Sequence, residues 1–140
     1  TTSSGSAPSW SFSPFMGTFT RPIILYSQDL VRSESTDALV DSGATYSLIP
    51  RPVLERLGIE PLDEMEFALA DSRVITRSIA QVQVQVEGRR TVTWCIFGDA
   101  DSTPLLGAYT LEGLRLAVDS FNKRLVPLMG YLTALPVNPR

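Results

Sequence analysis

The sequence predicts a mainly β fold with one or two short helices, and three observations lead there. Residues Gln81-Val82-Gln83-Val84-Gln85-Val86 alternate polar and apolar side chains without a break. A strand with one buried face must read this way, because successive side chains point to opposite sides. Glu87-Gly88 interrupts the alternation, and Thr91 to Phe97 resumes an apolar-rich run as the hairpin partner. The remaining apolar runs are short and bounded by Gly, Pro, Asp or Ser, which suits strands and turns better than long helices.

Taken in order, residues 1–15 are rich in Ser, Thr and Pro with no apolar period and are expected to form a flexible leader; residues 16–128 carry the folded domain, and residues 129–140 form a proline-bearing tail. Pro22 to Tyr26 predicts a first strand and Thr36 to Val40 a second. Pro50-Arg51-Pro52 opens a short helix through Leu57, with proline in the first turn and Gly58 placed to end it. Glu66 to Leu69 predicts a strand, Asp71-Ser72-Arg73 a tight turn, and Val74 to Ile79 the returning strand, ahead of the long hairpin. Gly98 to Pro104 is a polar connection whose Asp99 and Asp101 lack the ligand spacing and terminal glutamate of a calcium loop. Leu105-Leu106-Gly107 follows, then a brief helix from about Tyr109 to Glu112, then Leu114 to Asp119, a turn at Ser120 to Lys123, and Leu125 to Leu128.

Composition narrows the chemistry. A chain of 140 residues is one domain and buries roughly 68–70% of its unfolded surface, enough for a core. With 44% hydrophobic and 19% charged residues it falls among globular chains rather than disordered ones. A net charge of −3 and a pI near 4.9 argue against a nucleic-acid partner, which calls for clustered Lys and Arg. Arg89-Arg90 and Lys123-Arg124 are the adjacent basic pairs, and each reads as a solvated strand end. The single cysteine, Cys95, sits in Trp94-Cys95-Ile96-Phe97 and is expected to be a buried core thiol. The absence of histidine excludes Ser-His and Cys-His catalysis and disfavours zinc, so no metal or cofactor is expected and carboxylates remain as the acid-base groups. No apolar run reaches the roughly 18 residues of a membrane span and no signal peptide is visible, so the expected location is cytoplasmic.

The most informative segment is Ala38-Leu39-Val40-Asp41-Ser42-Gly43-Ala44, followed by Thr45-Tyr46-Ser47-Leu48-Ile49-Pro50. It sets an acid at the end of an apolar strand, immediately before a glycine turn. An unpaired buried carboxylate costs several kcal/mol or is neutralised, so chains rarely keep one at such a place without a use for it. A bare Asp-Ser-Gly also makes a good surface turn. Here three apolar residues enter the triplet and Leu48-Ile49 leave it, whereas a solvent turn is more often flanked by alternating polar residues.

This segment resembles the active-site loop of aspartic peptidases, whose signature is Asp-Thr/Ser-Gly after apolar residues and usually before Ala. The order that follows, a short helix, a hairpin with a polar tip, a long second hairpin, then Leu-Leu-Gly and a helix, is similar to the retropepsin-like, single-lobed enzymes of retroviruses, retroelements and bacteria. Asp41 and Gly107 stand 107 − 41 = 66 residues apart with the hairpins between them. The resemblance covers about Gly17 to Leu128 and implies a closed β-barrel of the acid-protease type, in which Leu105-Leu106-Gly107 packs against the Asp41 loop. Retroviral members often carry Arg after that glycine, paired with an acid soon after the triplet; here Ala108 and Thr45 or Tyr46 stand there, so both halves of the ion pair are missing. The tip at Asp71-Ser72-Arg73 lacks the glycines of viral flaps, which implies a stiffer flap. Leu135-Pro136-Val137-Asn138-Pro139 is a poor donor for the terminal-strand sheet that joins viral dimers.

Hydrolysis of a peptide by this chemistry needs one carboxylate to take a proton from water while another gives one to the scissile carbonyl. The sequence has one such triplet: Asp71-Ser72-Arg73, Asp101-Ser102-Thr103 and Asp119-Ser120-Phe121 lack the glycine and the apolar lead-in. The resemblance therefore implies a homodimer in which Asp41 meets Asp41 of a second copy at the two-fold axis. Ser42 is implied to hydrogen-bond across that axis and Gly43 to let the backbone approach closely. Ala44 is implied to leave room for the substrate, and Ala70, Asp71 and Ser72 to cover an extended peptide or protein substrate. A second reading is a retropepsin-like module that dimerises and binds peptides without efficient cleavage, and a third is an unrelated β-barrel with a fortuitous triplet.

Overall fold

The computed structural model of the chain describes residues 18–130. The expected leader, and the expected tail beyond residue 130, lie outside the described residues. The chain is mainly β with two short helices, as its alternating patterns predict. Strands β1 (Phe19–Tyr26) and β2 (Ser33–Val40) form an antiparallel hairpin in which Phe19 faces Val40 and Tyr26 faces Ser33. After the Asp41 loop come β3 (Ser47–Pro50) and helix α1 (Arg51–Arg56). Proline in its first turn has no N–H to leave unpaired, and Gly58 at φ 72° closes its end. There Gly58 N donates to Glu55 O and Ile59 N to Leu54 O, the paired bonds of a glycine-ended helix, with Leu54 and Ile59 both buried.

Strand β4 (Asp63–Ala68) pairs with the first half of β5 (Val74–Val86), and β6 (Arg89–Gly98) pairs with the second half. Glu87 and Gly88 both lie at positive φ, the turn whose twist matches a two-residue hairpin. Strand β7 (Leu105–Leu106) and helix α2 (Ala108–Gly113) follow, then a separate hairpin of β8 (Leu116–Asp119) and β9 (Arg124–Pro127).

The large sheet runs β1-β2-β7-β3-β6-β5-β4, and a further pairing of β1 with β5 closes it into a barrel from which β4 projects. Closure sets Ile23 and Leu25 of β1 against Val82 and Val84 of β5, Cys95 and Phe97 of β6, and Leu106 of β7, all in one apolar core. Each such side chain contributes about 1.5–3 kcal/mol by leaving water. The β8–β9 hairpin lends Leu116 and Leu125 to the same core and is tied to β1 where Arg21 Nη2 donates to Lys123 O at 2.8 Å.

Three expectations need correction. Val74 to Ile79 and Gln81 to Val86 are one unbroken strand, because buried Ala80 keeps the inward register shared with Val82, Val84 and Val86 while the strand changes partner from β4 to β6. Leu114 belongs to the end of α2, since its N–H returns to Thr110 O and Arg115 turns to φ 61° before β8 begins. Arg89 is no solvated strand end: its guanidinium donates to Arg115 O at 2.6 Å and to Leu114 O at 3.4 Å, satisfying carbonyls at the end of α2. Arg90 lies over the Tyr26 ring at 4.8 Å.

Candidate active site

Strand β2 ends at Val40 and delivers Asp41 into a tight loop. Asp41 N donates to Leu106 O at 3.0 Å, Ala44 N donates to Asp41 O at 3.1 Å, and Gly43 N donates to Asp41 Oδ1 at 2.9 Å. The carboxylate is thus aimed by a backbone amide two residues ahead, while Asp41 itself is half-buried and Ser42 and Gly43 are exposed. A partly exposed acid with one oxygen held by a backbone amide can exchange a proton with a neighbouring group.

What fixes the loop is β7, a two-residue strand slotted between β2 and β3. Leu39 and Val40 run parallel to Leu105 and Leu106, and Leu48 of β3 runs antiparallel to Leu105. At the corner between β7 and α2, Ala108 N donates to Ala44 O at 2.7 Å and Tyr109 N to Thr45 O at 2.9 Å. The backbones meet so closely that a Cβ on Gly107 would lie 2.7 Å from the Tyr46 carbonyl carbon and oxygen and 2.9 Å from Ala44 O. Glycine is required there by space alone. Leu105-Leu106-Gly107 does pack on the Asp41 loop, and Tyr46 also packs on Tyr109 with ring centroids 6.0 Å apart.

The other expected residues stand on a different element. Ala70, Asp71 and Ser72 form the tip between β4 and β5, where Leu69 N donates to Arg73 O at 2.7 Å and Ser72 N to Leu69 O at 3.0 Å. Asp71 Oδ1 accepts from Arg73 N at 3.1 Å and its Oδ2 pairs with Arg73 Nε at 2.7 Å, so these hydrogen bonds stay within the tip. Ser72 sits at φ 72°, a left-handed conformation that glycine would adopt without cost. Asp41 to Ala44 are therefore brought together with Gly107, and the tip residues are grouped apart from them on their own hairpin. Between the outgoing end of the loop and the base of that hairpin lies an apolar pocket lined by Tyr46, Met65, Ile79, Trp94, Cys95 and Ile96.

Two further groups bear on the chemistry. Cys95 is buried and burial pushes its thiol up to about 12, which makes it inert as a nucleophile. Among the described residues no cluster of three or more acid, Cys or His side chains could hold a metal ion. Sequence reading missed Ser47, Thr93 and Thr110, whose buried hydroxyls touch one another directly beneath the loop. The available signal was Thr93, a polar residue at an inward position of β6 flanked by outward Val92 and Trp94.

Residues 30–113 match the family described as gag-polyprotein putative aspartyl protease, a stretch that holds the Asp41 loop, both long hairpins, β7 and α2. No curated protein sequence matches the chain. Among solved structures, the solution structure of Simian Foamy Virus (mac) protease is similar at 17% identity and a TM-score of 0.50, over 67% of this chain and 92% of that one. The foamy viral protease-reverse transcriptase in complex with an RNA/DNA hybrid is similar at 16% identity and a TM-score of 0.51, over 86% of this chain. This chain spans 14% of the length of that longer protein. At these identities the likeness establishes the fold.

Proposed function

The chain belongs to the gag-polyprotein aspartyl protease family, and from that premise we propose that it is an aspartic endopeptidase whose active site forms at a homodimer axis from Asp41 of each copy. The observation that carries this reading is the half-site itself: one acid, following the apolar end Ala38-Leu39-Val40 of β2, whose backbone N–H donates to Leu106 O and whose Oδ1 accepts from Gly43 N. Among the described residues no other acid repeats that setting. Asp71 is engaged by Arg73 at a hairpin tip, and Asp119, the last residue of β8, by Arg124 at 3.1 Å.

Two like carboxylates in contact share one proton and titrate as a pair. The ionised member takes a proton from water as the water oxygen attacks the scissile carbonyl carbon, and the protonated member gives its proton to the carbonyl oxygen. The resulting diol collapses as the C–N bond breaks, with a proton passing to the leaving amine and the shared proton restored to the pair. Activity accordingly peaks in acid to near-neutral solution, where the pair holds one proton. Ser42 links the two loops across the axis, Gly43 and Ala44 leave space for the chain being cut, and Ala70, Asp71 and Ser72 cover an extended polypeptide. The pocket beside Tyr46 takes an apolar side chain of that substrate.

The test compares wild type with Asp41→Asn on a peptide library from mildly acidic to neutral pH. Loss of the acid-base group lowers kcat by about 10²–10⁴-fold, and unchanged cleavage would remove Asp41 from the mechanism. The locked tip favours one second reading, a dimeric peptide-binding module. Peptide capture by wild type without cleavage at any pH would select it.

A further inference from the structure

We propose that the buried hydroxyls of Ser47, Thr110 and Thr93 are positioning residues that set the Asp41 loop through the Gly107 corner; this rests on the role given to Asp41 above. Gly107 N donates to Ser47 Oγ at 3.0 Å rather than to any backbone carbonyl. Ser47 Oγ lies 2.6 Å from Thr110 Oγ1, and Thr110 Oγ1 lies 2.8 Å from Thr93 Oγ1. Thr93 Oγ1 reaches Trp94 O at 3.5 Å. A single donor direction, from Gly107 N through Ser47, Thr110 and Thr93 to Trp94 O, gives every member a partner.

The relay ties β3, α2 and β6 to one corner, and that corner grips the loop at both ends: Leu106 O holds Asp41 N, and the amides of Ala108 and Tyr109 hold the carbonyls of Ala44 and Thr45. Ser47, Thr93 and Thr110 are 3%, 2% and 0% exposed, so these bonds are shielded from bulk solvent. For two side chains bonded only to each other, apolar replacements of the same shape would cost little, because replacing both partners of a buried hydrogen bond is often nearly neutral. An apolar filling would leave Gly107 N without an acceptor. It would also leave the corner, which carries no ion pair at Ala108, Thr45 or Tyr46, held only by its own backbone bonds. The hydroxyls thus supply the directional contact that packing cannot.

The experiment compares wild type, Thr110→Val and Thr110→Ser by amide hydrogen exchange and by kinetics. Thr110→Val should speed exchange at Asp41, Ala108 and Tyr109 by about tenfold or more. Amides in the β1–β5 pairing should keep their protection, kcat should fall roughly 10- to 100-fold as the acids lose alignment, and KM should change by less than about twofold. Thr110→Ser should restore both readouts. Unchanged exchange at those three amides, loss of protection spread evenly over the barrel, or a serine variant that restores neither would overturn the proposal. Ser47→Ala serves the same comparison if Thr110→Val does not fold. A wild type without peptidase activity would count against Asp41 as a catalyst, while the exchange data would still decide the positioning role.

Discussion

Asp41 and Gly107 depend on each other across 66 residues of chain, 107 − 41, because the loop that presents the acid leans on a corner with no room for a side chain. Gly107→Ala would drive a methyl group into the backbone of Tyr46 and Ala44, where no rotamer change can relieve it. The expected cost is about 1–3 kcal/mol, seen as a lower Tm together with loss of activity. Cys95 gives a second prediction at this scale. Its raised thiol should resist an aromatic disulfide reagent in mildly alkaline buffer and react fully once urea unfolds the barrel; fast labelling of native protein would contradict the burial. Asp41 was legible in the sequence because its apolar lead-in and following glycine are local. Gly107 was legible only through family order. Ser47 and Thr110 were not legible at all, since their meaning lies in contacts between β3 and α2 that no local pattern records.

Among elements, those whose signals are local were read well: α1 through Pro52 and Gly58, the β5–β6 hairpin through its alternation, and its turn through Glu87-Gly88. Strand β7 is two residues long, and its place between β2 and β3 is set by pairing partners distant in sequence. The unbroken β5 was read as two strands because the strand keeps its face while exchanging β4 for β6, a change of partner that leaves no mark in composition. The tip of the β4–β5 hairpin offers a direct test. Ser72 at φ 72° bears the strain of a left-handed residue, so Ser72→Val should destabilise by about 1–2 kcal/mol. Ser72→Gly should hold or raise Tm while loosening the tip, visible as faster peptide binding or release in stopped-flow. Equal Tm for the valine and serine proteins would show that the backbone relaxes freely there.

For the molecule as a whole, loss of stability in acid follows from surface carboxylates that are engaged in the fold. Hydrogen bonding from Arg56 holds Glu34 below its ordinary range, and the Asn122 side chain and backbone, with Arg124, do the same for Asp119. Groups with lowered folded-state values stabilise the fold above their ordinary values of 4.5 and 3.8, and that contribution is lost as pH falls through the lower folded values. Asp119→Asn should therefore lower Tm relative to wild type at neutral pH. The gap should close as pH falls below 3.8, and a gap that widened in acid would reverse the assignment. Under the proposed function, each copy contributes one placed acid to a reaction that needs two, so the site is half of one until a second copy joins it. Mixing tests this directly: wild-type and Asp41→Asn chains are combined in varying proportion, allowed to exchange subunits, and assayed at constant total concentration. Activity is predicted to fall as the square of the wild-type fraction, since only dimers with two intact acids cut, and a fall in simple proportion to that fraction would contradict it.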